Sequence, residues 1–219
     1  MSVVSLVTND MPVVHSTDSV RKALDLMEDG GYDALPVVDE EQYVCLVKES
    51  DMLEMDDETL LSDIGVLSNF RPAIPMSVHP FEAIKVQGQI QLAILPVLDS
   101  ENKYNGVVTG EALLRYMSDQ SGITGPGGIL VLEMTPINYS LVQIARICEN
   151  EDITVLHSQI FTTPDGMLEV TLKTNKTSLD ALANSFDRHG INVKEVYGDQ
   201  RHMEDLMDKY HLLMTYLNM

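Results

Sequence analysis

The sequence predicts a mixed architecture: two tandem α/β repeats, an α+β domain of order βαββαβ, and an amphipathic C-terminal helix. Three observations carry this reading. The segment Leu35-Pro36-Val37-Val38-Asp39 returns as Leu95-Pro96-Val97-Leu98-Asp99 at an offset of 60 residues. Each copy lies within the same order of elements, which outweighs any single match. Beyond a glycine-rich stretch, the hydrophobic period switches between that of a strand and that of a helix in a βαββαβ order. The expected boundaries are 1–60 and 61–120 for the repeats, 121–128 for a linker, 129–199 for the α+β domain and 200–219 for the last helix.

In the first repeat, Pro12-Val13-Val14 opens with a short strand. Ser16 or Thr17 offers a side-chain oxygen to cap a helix. In that helix Val20, Ala23, Leu24 and Met27 fall at i, i+3, i+4 and i+7, which makes one apolar face. Gly30-Gly31 ends it. A buried strand is expected over 35–38, a polar turn at Asp39-Glu40-Glu41 and a partner strand over 43–47. A second helix is expected from about Ser50-Asp51. The other repeat follows the same plan from Pro72-Ala73-Ile74, with Ala83 matching Ala23 and Tyr104 matching Tyr43 one residue out of step. Its first helix is expected to be interrupted at Gly88, and Val86, Ile90 and Leu92 fit no single face well.

This paired β-α-β-β-α unit resembles the CBS-domain pair, or Bateman module, over roughly residues 1–120. The resemblance rests on the two Leu-Pro-Val segments and on the ends Leu46-Val47-Lys48-Glu49-Ser50-Asp51 and Gly106-Val107-Val108-Thr109-Gly110-Glu111-Ala112. It implies an adenosine-type ligand site between the repeats, for AMP, ADP, ATP or another adenosine derivative. In that family a Thr or Ser follows the second hairpin strand, with an Asp three residues later. A carboxylate accepts hydrogen bonds from both ribose hydroxyls, and a hydroxyl beside helix N–H groups suits phosphate oxygens. Each repeat here keeps half of that pair. The first has Asp51 but Lys48 at the Thr position. The second has Thr109 but Ala112 at the Asp position. Lys48 is expected either to pair with a phosphate or to be solvated, and Asp51 either to bind ribose or to stabilise a helix start. Thr109 is read as structural. Backbone beside Leu35-Pro36 and Leu95-Pro96 completes the candidate set.

The stretch Ser121-Gly-Ile-Thr-Gly-Pro-Gly-Gly128 lacks the Gly-Lys-Ser/Thr ending of a P-loop and reads as a linker. After it come an apolar strand over 129–134 and a helix opened by a Ser140/Gln143 capping box. That helix should bury Leu141, Ile144, Ala145 and Cys148. A strand follows over 153–160, then a turn at Pro164-Asp165-Gly166. In the next strand Leu168, Val170 and Leu172 face the core while Glu169, Thr171 and Lys173 are wet. A helix capped by Thr177 carries Leu179, Leu182, Ala183 and Phe186 and ends at Gly190, before a last strand over 193–196. The order is the ferredoxin-like plan, which many unrelated families share. After a CBS pair it resembles the ACT domain, and the whole chain resembles the acetoin-utilisation AcuB type. The ACT resemblance implies an amino-acid site near the loop 135–140, where Asn138 and Tyr139 are weak candidates. Asn138 is read chiefly as a turn residue, and the loop lacks the Gly of many amino-acid-binding members.

In the tail, Leu206, Tyr210, Leu213 and Leu217 recur at helical spacing, a face that docks on its own chain or on a second subunit. The formal net charge of -20, from 34 acidic and 14 basic residues, argues against nucleic-acid and anionic-membrane partners. The two cysteines, Cys45 and Cys148, sit in apolar runs and read as buried hydrophobes. The N-terminus has no signal-peptide pattern, so cytoplasm is the expected compartment. No spacing of the six histidines suits zinc, and the acidic run 54–58 lacks the pattern of a calcium loop. The composite expectation is a non-catalytic regulatory sensor, homodimeric, acting on a protein partner, with no resident metal. A ligand-free assembly module and an amino-acid sensor are the competing expectations.

Overall fold

A two-residue turn shapes the first hairpin: Glu40 and Glu41 both adopt positive φ, 46° and 69°. Turns of that hand match the twist of the strands they join. They link β1 (Ala34–Asp39) to β2 (Gln42–Lys48) in antiparallel register, Leu35 opposite Val47 and Pro36 opposite Leu46. The computed structural model describes residues 2–64 and 70–198. Its chain forms two units, Met1–Met117 and Ser118–Met219.

In the first repeat of unit 1 the opening strand is reduced to Val14, which bridges in parallel to Val37. The helix α1 (Val20–Gly30) is capped by Ser19, whose hydroxyl accepts from the Lys22 N–H at 3.3 Å, and not by Ser16 or Thr17. The reason is local. The Asp18 carboxylate accepts from the His15 N–H at 2.9 Å and the Asp18 N–H donates to the His15 carbonyl, so 15–18 closes as a turn. Val20, Ala23 and Met27 are buried as expected, and Gly31 ends the helix at φ 65°.

The second helix expected near Ser50-Asp51 is absent. A single 3-10 turn, Glu49–Asp51, takes its place. The chain then runs past the start of α1, where Val20 N–H donates to the Thr59 carbonyl at 2.9 Å and Arg21 N–H to the Asp57 carbonyl at 3.0 Å. Six carboxylates crowd 49–58 (Glu49, Asp51, Glu54, Asp56, Asp57, Glu58) with no cation among them, so a helix there would set like charges at i, i+4 spacing. The extended path instead satisfies N–H groups that the first turn of α1 leaves without partners.

The second repeat has β3 (Ile74–Pro75), α2 (Pro80–Ile90), β4 (Ile94–Leu98), β5 (Tyr104–Thr109) and α3 (Gly110–Gln120), with strand order β3-β4-β5. The helix α2 runs through Gly88 without a break. Glycine there costs about 1 kcal/mol of propensity against alanine. Packing of Ala83 with Ile74, Leu95, Val97 and Leu113 holds the helix regardless.

The two repeats are interlocked. Thr8, which leads the first, pairs in antiparallel fashion with Val107 of β5. Phe70, which leads the second, accepts from the Leu46 N–H of β2 at 3.2 Å. The crossing is tight at Gly106, φ 106°, where a Cβ would collide with the Thr8 carbonyl and the Asn9 side chain. The hairpin turns also meet. Gln42 bridges Lys103, Tyr104 N–H donates to the Glu41 carbonyl at 2.8 Å, and the Tyr43 and Tyr104 rings stack with centroids 6.5 Å apart. The first-repeat core is completed by the second repeat: Ile94 and Val107 join Val14, Ala23, Leu35, Val37 and Leu46.

Unit 2 comprises β6 (Ile129–Met134), α4 (Leu141–Asn150), β7 (Val155–Thr162), β8 (Leu168–Thr174), α5 (Asp180–Arg188) and β9 (Asn192–Tyr197). Its antiparallel sheet has the order β7-β8-β6-β9, the ferredoxin-like arrangement. Leu130, Leu132, Val170 and Leu172 pack against Ile144, Ile147, Leu182 and Phe186 of the two helices. Three expectations need correcting. Leu141 is exposed and Ile147 takes its place in the core. Thr177 does not cap α5, which starts after Leu179, because the Lys176 carbonyl is tied to the Gly128 N–H at 2.7 Å. Lys173 is buried rather than wet, its ammonium donating to the Gly127 carbonyl at 2.8 Å. The helix expected over 200–219 lies outside the described residues.

The tyrosine pair at the repeat junction gives a contrast. Tyr43 donates to the Pro72 carbonyl at 3.0 Å, whereas the buried Tyr104 hydroxyl has no partner among the described residues. Tyr43→Phe is expected to cost about 1 kcal/mol and Tyr104→Phe to be neutral or stabilising. Urea denaturation of both variants checks the pair.

Candidate ligand site

The hairpin register brings the first-repeat candidates to one end of β1 and β2. Lys48 stands opposite Ala34, next to Leu35-Pro36, and Asp51 follows in the 3-10 turn. The Glu49 N–H holds that turn to the Asp33 carbonyl at 3.0 Å. In the second repeat Thr109 stands opposite Ile94, next to Leu95-Pro96. The two half-sets do not combine. The antiparallel bridge between Gln42 and Lys103 sends β2 and β5 away from the junction in opposite directions. Each strand spans about 20 Å at ~3.3 Å per residue, so Lys48 and Thr109 end on opposite sides of it.

Asp51 is half-buried and makes no side-chain hydrogen bond or ion pair among the described residues; it caps nothing. The other half-buried carboxylates of unit 1 are committed to structure. Asp18 holds His15 and Lys22, Asp39 accepts from the Ser16 N–H, and Asp99 accepts from the Glu101 and Lys103 N–H groups. Hydrogen bonds from Lys22 and the His15 backbone, with the nearby Lys22 charge, lower the Asp18 pKa against a desolvation penalty that raises it.

Lys48 is partly buried and packs on an aromatic ring. Its ammonium lies 4.1 Å from the centre of the Phe70 ring, a cation–π contact. Phe70 is in turn fixed beside β2 by the Leu46 hydrogen bond. Sequence reasoning missed Phe70 because the residue lies between the repeats and belongs to no motif; only the exchange of leading segments brings it here. Arg71 behind it donates to the Tyr43 carbonyl at 2.7 Å.

The remaining candidates divide by burial. Leu35 and Leu95 are fully buried core residues. Pro36 has no N–H, and its carbonyl already accepts from Val14 at 3.0 Å. Leu35 and Leu95 therefore shape the site through packing, while the Pro36 carbonyl keeps a second lone pair beyond its bond to Val14. The Thr109 hydroxyl accepts from the Ala112 N–H at 3.1 Å, a cap on α3. The end of α2 adds a buried acceptor without a partner among the described residues, Gln87 Oε1, which no sequence pattern signalled. In unit 2, Asn138 is exposed in a 3-10 turn and Tyr139 packs against the domain core, so neither is set apart as a ligand group.

Burial pushes the Cys45 and Cys148 thiols up to about 11, so neither ionises near neutrality. Among the described residues no group of three or more His, Cys, Asp and Glu side chains is placed to hold a metal ion, and no helix is long and apolar enough to cross a membrane.

A CBS domain family model matches residues 3–58. The fold is similar to that of a CBS domain pair/ACT domain protein from Thermotoga maritima, with 24% identity and a TM-score of 0.50 over 54% of this chain and 98% of that one. The matched share corresponds in size to unit 1. A protein named CBSX2, in complex with AMP, aligns with 22% identity and a TM-score of 0.48 over 54% of this chain and 96% of that one. The CBS domains of a transcriptional regulator from Streptococcus pneumoniae align with 19% identity and a TM-score of 0.47 over 52% and 98%. Residues 3–58 thus match the CBS domain model, and unit 1 is similar in fold to a CBS domain pair.

The cap assigns Thr109 a structural role that can be checked. Thr109→Ala is expected to cost about 1 kcal/mol of stability while Thr109→Ser retains most of it, as read from chemical denaturation midpoints.

Proposed function

We propose that the protein is a non-catalytic regulatory sensor that binds an adenosine-containing ligand at the first-repeat end of its CBS pair. One observation carries the reading. Asp51 is a half-buried carboxylate with no partner among the described residues, at the position where the CBS resemblance expects a ribose ligand. A carboxylate accepts from two vicinal hydroxyls at once, and Phe70 offers an aromatic face with the Lys48 ammonium poised for a phosphate. The second repeat has no such carboxylate, and its hydroxyl is spent on α3. One ligand site per chain follows.

Unit 2 is read as an ACT-like module, as in the AcuB-type proteins, and the chain as a cytoplasmic homodimer that acts on a partner protein. A ligand can change that action only by binding one arrangement more tightly than the other.

A second reading, a ligand-free assembly module, draws on the commitment of Thr109 to a cap. Calorimetric titration with AMP, ADP, ATP, NAD, S-adenosylmethionine and cyclic di-AMP separates the two. At least one ligand is expected to bind, and Asp51→Ala to weaken it by about 10- to 100-fold, the worth of a charged hydrogen-bond acceptor. Thr109→Ser should bind like the parent. Silence across the panel, or binding indifferent to Asp51→Ala, would favour the assembly module.

A further inference from the structure

The missing second helix of the first repeat leaves an open groove of about 560 Å³ along the outer flank of α1. Its wall on α1 is one helical face, Arg21, Leu24, Asp25 and Glu28. Its far wall is the turn that replaces the helix, Glu49 and Leu53. The groove takes in neither Lys48 nor Asp51, so it is distinct from the candidate ligand site. Its floor is apolar, with Leu24 and Met27, and Leu53 at the rim is 66% exposed.

The rim is anionic. Asp25, Glu28, Asp33 and Glu49 line it against a single cation, Arg21. That guanidinium is already held by Asp25 at 3.0 Å and Asp57 at 3.3 Å. In the second repeat the corresponding chain after β5 forms α3, whose Leu113 packs into the core with Ala83 of α2. The first repeat keeps only the start of that helix, with Met52 buried at the matching place.

We propose that this groove docks a short basic amphipathic helix of a partner protein, its apolar stripe on Leu24, Met27 and Leu53 and its Lys or Arg side chains on Asp25, Glu28 and Glu49. Charge complementarity selects this occupant. A second copy seated groove against groove would bring the same carboxylates face to face, which like-charge repulsion disfavours. A helix with an apolar stripe flanked by cations meets both the floor and the rim. The inference is independent of nucleotide binding, and its test contains no nucleotide.

The probe is an amidated peptide of about 15 residues with Leu at i, i+3, i+4 and i+7 and Lys on the flanks. A Glu-for-Lys version is the control, and fluorescence anisotropy with the full chain is the readout. The Lys peptide is expected to bind and the Glu peptide not to. The double variant Asp25→Lys/Glu28→Lys, and separately Leu53→Asp, should each weaken binding at least tenfold. All three positions are exposed, so the variants should fold. The pair Asp180→Lys/Asp187→Lys, which does not line the groove, makes the same charge change in unit 2 and should leave affinity within twofold. Equal weakening by that pair would mean attraction to the net charge alone and would overturn the proposal, as would absence of binding. A change in sedimentation coefficient on Leu53→Asp would show that a second copy covers the groove, and would overturn it too.

Discussion

The interaction on which unit 1 depends is the exchange of leading segments between its two repeats. A two-stranded hairpin is marginal alone in water, and β1–β2 is a two-stranded sheet. It becomes a buried element because Val14 pairs along β1 and the Phe70 carbonyl takes the Leu46 N–H on β2. The Phe70 segment leads the other repeat, and Thr8 repeats the device on β5. Neither repeat can complete its core alone, which is why Ile94 and Val107 are found among first-repeat residues. The cost appears at Gly106, where the crossing backbones leave no room for a side chain. The stacked tyrosines at the hairpin turns then fix the two repeats at a single junction.

Much of this was legible in the sequence, for a physical reason. The Leu-Pro-Val segments are buried on both faces, and a repeated run of that kind at constant offset identifies a repeated unit. The alternation in β8 and the turn glycines made unit 2 readable in the same way. What stayed illegible depended on charge or on distant backbone. The segment from Ser50-Asp51 reads locally as a helix start, yet the chain that follows it is extended and the Asp57 and Thr59 carbonyls serve α1. Lys173 reads as a wet residue of an alternating strand, yet the Gly127 carbonyl buries it. The site divided likewise. Asp51 and Thr109 were found from motif position. Phe70 was not, because a long-range exchange brings it beside Lys48 from 22 positions along the chain.

The two repeats have diverged in complementary ways. The second has a full helix after its hairpin and a hydroxyl that caps it, with Ala112 where the first has a carboxylate. The first keeps that carboxylate and loses the helix. A helix there would have filled the flank of α1 that now lies open. The candidate ligand site and the groove thus both border the 49–58 segment.

That shared border has an energetic consequence. Glu49, Asp51 and Leu53 lie within one short turn, held by the Glu49–Asp33 and Met52–Glu49 backbone hydrogen bonds. Asp51 faces the ligand question while Glu49 and Leu53 line the groove. A single 3-10 turn has poor hydrogen-bond geometry and few bonds to lose, so it can be repositioned at low cost. A ligand that fixes the carboxylate shifts the groove wall only if it binds one position of the turn more tightly than another; an occupant of the groove would then alter affinity at Asp51 by the same factor. Coupling of this kind requires no rearrangement between the two units of the chain. The route from a bound ligand to a protein partner can be as short as the turn itself.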